Sequence, residues 1–268
     1  MRQQRHARAL GRIGTVLLLL AAPPLRLLPA EVDALLDGLA ARLERTAAYK
    51  NWTAASTQTV IEEDRKGRPE KITVVSKAVR VTDGRRQEDI LKAVVTEDGR
   101  TKDITATYEL EARERRREAE RRAAEEPGSR PAGRRGNRLV IEDILPFSAA
   151  RRSAYSFGRR EAVGPDGRRL VLLEAKAKTK DDMSWNGTYT IDPETYDILR
   201  AELRPSKLPR LVKELSVQAE VEILDGKYFV LKRTKFKVNG GFLFIKRVRM
   251  TVEEVYSDVR VLDPGTAT

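Results

Sequence analysis

Leu215-Ser216-Val217-Gln218-Ala219-Glu220-Val221-Glu222-Ile223 is the stretch whose reading decides the fold, because every odd position is apolar and every even one polar. Period-two alternation puts one set on each face of a strand. Asp225-Gly226 follows, a pair that tolerates the positive φ of a tight hairpin, and Tyr228 to Val238 runs back. Asn239-Gly240-Gly241 reads as another reversal, into Phe242 to Tyr256. Upstream, Trp185 to Ile191 and Tyr196 to Leu203 flank Asp192-Pro193-Glu194-Thr195, a turn in which Pro presets φ. The pattern is an antiparallel meander with one apolar face, and that face needs cover.

Strand-like texture extends in both directions. Trp52 to Ile61, Lys71 to Val81 and Ile90 to Thr96 are β-rich segments separated by Gly67-Arg68-Pro69 and Asp83-Gly84. Leu139 to Ile144, Tyr155 to Val163 and Arg169 to Lys178 continue the series, with a short helical turn over Ser148 to Arg152. Glu31 to Tyr49 can supply the cover: Val32, Leu35, Leu36, Leu39 and Leu43 recur at helical spacing, and Glu31 and Asp33 lie where the helix dipole favours negative charge. The segment 108–138 breaks the texture. Between Glu111 and Arg138 it holds ten Arg and six Glu, without an apolar stripe, and Pro127 to Gly133 has linker composition. It reads as an exposed, locally basic helix and loop inserted into the sheet.

Charge and composition narrow the function. Lys and Arg number 52 against 40 Asp and Glu, a net charge of +12. Five of those cations (Arg2, Arg5, Arg8, Arg12, Arg26) precede Glu31 with no acid among them, so the rest carries +7. Residues 1–30 read as an export signal cleaved after Ala30. Their apolar run, Ile13 to Ala22, is shorter than the roughly 20 residues of a spanning helix. A single domain over 31–262 is expected, with a disordered tail at 263–268. There is no Cys, and the one His is His6, so His- or Cys-based catalysis and the usual zinc sites are excluded. No Gly-rich phosphate loop occurs. A two-carboxylate hydrolase is the surviving enzyme class. Its candidates, Glu62-Glu63-Asp64 and Asp181-Asp182, sit beside turns and are expected to face water. Lys232, Arg233, Lys235, Lys237, Lys246, Arg247 and Arg249, with the insertion, form a basic set suited to nucleic acid or an anionic membrane. Export argues against nucleic acid.

The order of elements resembles the LolA-like group of outer-membrane lipoprotein-sorting proteins. The resemblance rests on the export signal, the amphipathic helix and the run Tyr49-Lys50-Asn51-Trp52-Thr53-Ala54-Ala55-Ser56-Thr57-Gln58. It continues in Tyr189-Thr190-Ile191-Asp192-Pro193-Glu194-Thr195-Tyr196 and the closing Tyr256-Ser257-Asp258-Val259-Arg260. It implies an α+β fold, a strongly curved antiparallel sheet forming an unclosed β-barrel, covered on its concave side by the N-terminal amphipathic helix and short helices. It also implies a non-enzymatic periplasmic carrier sheltering the acyl chains of a lipid or lipoprotein; a monomer without cofactors is expected. The cavity lining expected on this reading is Leu36, Leu39, Leu43, Trp52, Trp185, Phe236, Phe242, Phe244 and Met250. The competing expectation is a solid-cored protein that docks on anionic membrane or nucleic acid through its basic surface.

Overall fold

The computed structural model describes residues 29–46, 51–82, 85–125, 145–181, 184–226, 228–242 and 246–262. The expected export signal up to residue 28, the strand expected over 139–144, the linker at 127–133 and the tail at 263–268 lie outside these. In chain order the elements are α1 (Pro29–Thr46), β1 (Trp52–Glu63), β2 (Pro69–Thr82), β3 (Arg85–Glu97), β4 (Arg100–Asp103) and α2 (Thr105–Glu125). They continue with α3 (Ala149–Arg152), β5 (Tyr155–Val163), β6 (Arg169–Ala177), β7 (Trp185–Ile191), β8 (Ile198–Pro205), β9 (Val212–Leu224), β10 (Tyr228–Phe242) and β11 (Lys246–Val261). All eleven strands join one antiparallel sheet in the order β4-β3-β2-β1-β11-β10-β9-β8-β7-β6-β5. Among the described residues its two ends, β4 and β5, do not pair, so this is the α+β fold of an unclosed barrel.

Paired residues of an antiparallel ladder point to the same face. The register therefore traces rows across the sheet. One row runs Arg159, Leu173, Tyr189, Ala201, Ala219, Thr234, Glu254, Gln58, Val75, Ala93, through ten strands. The neighbouring row on that face is Leu203, Val217, Phe236, Val252, Val60, Thr73, Val95. Apolar residues dominate both, so this is the face that needs cover.

α1 covers the half built from β5 to β9. Leu35, Leu36 and Leu39 sink into a cluster with Phe147, Leu173, Tyr189, Leu203 and Val217. Leu39 and Tyr189 are completely buried, and each such leucine contributes about 1.5–3 kcal/mol. Phe147 meets the Tyr189 ring edge-on at 4.7 Å. Ion pairs border the helix: Glu31 with Arg159 at 3.0 Å, Asp37 with Arg152 at 2.8 Å and Arg42 with Asp197 at 2.6 Å. Gly38 lets α1 sit this low, since a Cβ there would lie 2.2 Å from the Tyr196 ring. A second cluster, Ala54, Val79, Val81 and Tyr256 with Trp52, Leu231 and Val259 around it, occupies one end of β1, β2, β10 and β11.

Two expectations are corrected. Asn239-Gly240-Gly241 is not a turn: β10 runs on to Phe242, pairing these residues with Arg249, Val248 and Arg247. A glycine is needed there because a Cβ at Gly240 would come within 3.0 Å of the Leu211 carbonyl, to which Gly241 N–H donates. Nor is the charged helix wholly exposed. It begins at Thr105, directly after the short β4, and Tyr108 and Ala112 are half-buried. The Thr105 hydroxyl accepts from the Ala93 amide of β3 at 2.9 Å and ties the helix to the sheet.

Gly38→Ala is expected to destabilise the fold by about 1–3 kcal/mol in chemical denaturation, the usual cost of overpacking. Combined with Tyr196→Ala, the loss should be smaller than the sum of the two single variants.

Candidate ligand-binding face

The covered face divides into three zones. Under α1 the space is filled: Leu36 and Leu39 are fully buried, Trp185 belongs to the same cluster, and Leu43 and Phe236 each pack at its margin. Trp52 lies in the second cluster, its ring 6.0 Å from Tyr256 in an edge-on contact. At the margin of the first cluster, towards the opposite end of β1 and β11 from the second, runs a half-buried apolar strip. It consists of Phe236, Val252 and Val60 in one row and Leu215, Val238 and Met250 in the next. Of the expected lining residues, Phe236 and Met250 therefore share the strip, whereas Leu36, Leu39 and Trp185 are packed away from it. The Phe242 side chain and Phe244 lie outside what is described. Met250 also borders a hollow of about 170 Å³ with Glu63, Glu214, Lys237, Asn239 and Arg249.

The third zone is charged. α2 and the sheet enclose a hollow of about 460 Å³. Gln58, Lys77, Arg86, Glu88, Ile90 and Glu254 form its floor; Tyr108, Ala112, Arg115 and Arg116 of α2 form its other wall. Lys77 has only 6% of its side chain exposed and lies 3.2 Å from Glu88 and 3.7 Å from Glu254. Arg86 donates to Glu254 at 2.5 Å and to the Tyr256 hydroxyl at 2.7 Å, and its guanidinium stands over the Tyr256 ring. Ser56 donates to the same Glu254 oxygen at 3.0 Å. Burial pushes the Glu254 carboxyl upward, but Arg86 and Lys77 outweigh it and hold the group below the usual carboxylate range. Burial also pushes the Tyr256 phenol well above its ordinary value, so it stays protonated at neutral pH.

Sequence reading misses this cluster, although a signal for it exists. Lys77 falls in the apolar phase of β2, between Val75 and Val79, and Glu254 falls in that of β11, between Val252 and Tyr256. A charge in the buried phase of an alternating strand needs a partner. Arg42 is also missed as a tether: beyond its pair with Asp197, its Nη2 donates to the Gly226 carbonyl at 3.0 Å in the β9–β10 turn.

Of the acidic residues singled out as hydrolase candidates, Asp64 and Asp181 serve loops, Glu62 and Glu63 end β1, and Asp182 lies outside the described residues. Asp64 accepts from the Lys66 and Arg68 amides, and Asp181 from the Ser184 amide and hydroxyl. Four cations of the basic set, all on β10, are paired with carboxylates, and the side chains of Lys246 and Arg247 lie outside what is described. Arg233 and Lys235 pair with Glu253, Lys237 with Glu214 and Lys232 with Glu222. No helix among the described residues is long and apolar enough to cross a membrane.

Because the Glu254 pKa is depressed, its share of stability is present above the ordinary glutamate value of about 4.3 and is lost as pH falls through the folded value. Urea unfolding at a series of pH values should show that fall. Glu254→Gln should flatten it and lower neutral stability by roughly 3 kcal/mol, because it leaves buried cations short of a partner.

No protein-family model matches the sequence, and no curated protein does. Among solved structures the chain is similar to a DUF1329 family protein from Desulfovibrio piger, with 15% identity, 88% of this chain and 95% of that one covered, and a TM-score of 0.39. It is similar to a putative outer membrane lipoprotein-sorting protein domain from Vibrio parahaemolyticus, with 13% identity, 86% and 94% covered, and a TM-score of 0.37. A LolA superfamily protein from Nitrosomonas europaea gives 11% identity, 83% and 93% covered, and a TM-score of 0.34. The second and third carry the description that the sequence resemblance names, and none of the three reaches a TM-score of 0.5.

Proposed function

We propose that this chain is an exported, non-enzymatic carrier or binding protein of the bacterial envelope that holds the acyl chains of a lipid or lipoprotein against the covered face of its sheet. The observation that carries the reading is the half-buried strip of Phe236, Val252, Val60, Leu215, Val238 and Met250, beside the edge of a roof made by one amphipathic helix. Each methylene moved from water to such a strip gains about 0.8 kcal/mol. Affinity then needs no polar chemistry. Leu36, Leu39 and Leu43 are the groups an acyl chain replaces if α1 shifts, and Trp185 is part of the floor so uncovered. Trp52, Phe242 and Phe244 complete the proposed lining. On this reading the Arg-rich leader directs export to the periplasm, where the protein acts as a monomer.

Movement of α1 is the loading and release step. Beyond its apolar face the helix is held by the Arg42 tether and two peripheral ion pairs, a set that can open without unfolding the sheet. Arg42→Ala should cost about 1.5–3 kcal/mol, the worth of charge-assisted hydrogen bonds, and should speed exchange of a fluorescent fatty acid in stopped-flow measurements.

Native mass spectrometry of the full chain purified from a bacterial envelope should find bound lipid. The double variant Phe236→Asp and Val252→Asp should lose it while remaining folded by circular dichroism. A protein that emerges lipid-free and takes up no fluorescent fatty acid would overturn the carrier reading.

A further inference from the structure

We propose that the hollow beneath α2 seats a phosphate-bearing anion, and that on the carrier reading, on which this assignment of source rests, the anion is the headgroup of the lipid whose chains lie on the neighbouring strip. The charge balance of the hollow points there first. Four cations face it, Lys77, Arg86, Arg115 and Arg116, against two carboxylates, Glu88 and Glu254. Both carboxylates are engaged on the floor by Arg86 and Lys77. On the helix wall the balance is left open. Arg115 stands over the Tyr108 ring, and its carboxylate partner, Glu111, is 3.8 Å away. Arg116 donates to the Glu88 main-chain carbonyl at 3.0 Å rather than to an acid. A cavity with two net positive charges, whose helix wall presents two guanidinium forks not spent on the buried acids, suits an anion with several oxygens. Phosphate has that shape, and Arg binds it bidentately.

The placement of the hollow supplies the second argument. Gln58 and Glu254 of its floor are paired with each other in the sheet, and two residues along the same strands and the same face are Val60 and Val252 of the apolar strip. That separation is about 7 Å. A cationic chamber therefore opens within one residue pair of an apolar track, as an anionic amphiphile requires. A volume of about 460 Å³ falls in the usual range for small-molecule sites, although this lining is charged where most such sites are apolar.

The test uses the full chain and the double variant Arg115→Glu, Arg116→Glu, both at exposed positions of α2, whose folding is checked by thermal melting. Binding is measured calorimetrically for four probes kept below their micelle concentrations. These are dioctanoyl phosphatidylglycerol, dioctanoyl glycerol, octanoic acid and glycerol phosphate. The expected result is at least about tenfold tighter binding of phosphatidylglycerol than of dioctanoyl glycerol, lost in the variant while dioctanoyl glycerol binding is unchanged. Equal binding of both lipids, insensitive to the variant, would overturn the headgroup site and leave the acyl-chain reading standing. Arginine-dependent binding of glycerol phosphate, with no binding of either lipid or of octanoic acid, would support the phosphate site and overturn both its lipid source and the carrier reading.

Discussion

Registration across the ladder is the constraint on which the rest of this molecule depends. Because opposed residues share a face, ten strands in continuous register commit one side chain per strand to the same surface, from Arg159 at one end to Ala93 at the other. A one-residue slip between any two strands would turn every apolar group beyond it to water. With the register held, an eleven-stranded sheet that does not close has one long face to hide, and two helices of opposite character cover it. α1 brings leucines and makes a dry core with β5 to β9. α2 brings arginines, so the face beneath it carries charge.

That division explains a buried ionic cluster that adds little to stability by itself. Removing Lys77, Arg86 and Glu254 from water is expensive, and their mutual attraction roughly offsets that expense. What the cluster contributes is position. Arg86 on β3, Lys77 on β2, Ser56 on β1 and Glu254 on β11 are bonded across four adjacent strands, so this end of the sheet has a polar fixed point as α1 gives the other end an apolar one. The strip leans on the α1-covered core through Phe236 and Leu215 and lies clear of the second cluster, and it is there that the face remains half-buried.

Most of the fold was legible because its strands alternate cleanly and its turns are built from Asp-Gly and Asp-Pro pairs. The Asp192 turn forms as its residues suggest: the Asp192 carboxylate accepts from the Glu194 amide, and the Tyr196 amide returns to the Asp192 carbonyl. Asn239-Gly240-Gly241 misled because glycine pairs signal either a reversal or a close approach, and only the position of Leu211, in the turn that leads into β9, decides between them. β4 is too short and too polar to stand out. The floor of the charged hollow combines residues of β1, β2, β3 and β11, a juxtaposition that depends on the β1–β11 pairing and leaves no local trace. Phe236 and Met250 were legible as apolar positions on the covered face, but their place beside the filled core required the register.

The two unpaired ends of the sheet carry a consequence for self-association. β4 has four exposed residues, Arg100-Thr101-Lys102-Asp103, too few and too charged to template another strand. β5 is longer, yet Arg159, Arg160 and Glu161 occupy its middle in ion pairs with Glu31, Glu174 and Arg169. A second molecule adding its own strand there would have to take those charges partly out of water. Both margins thus resist polymerisation, and a barrel left open along its seam can remain dispersed at high concentration.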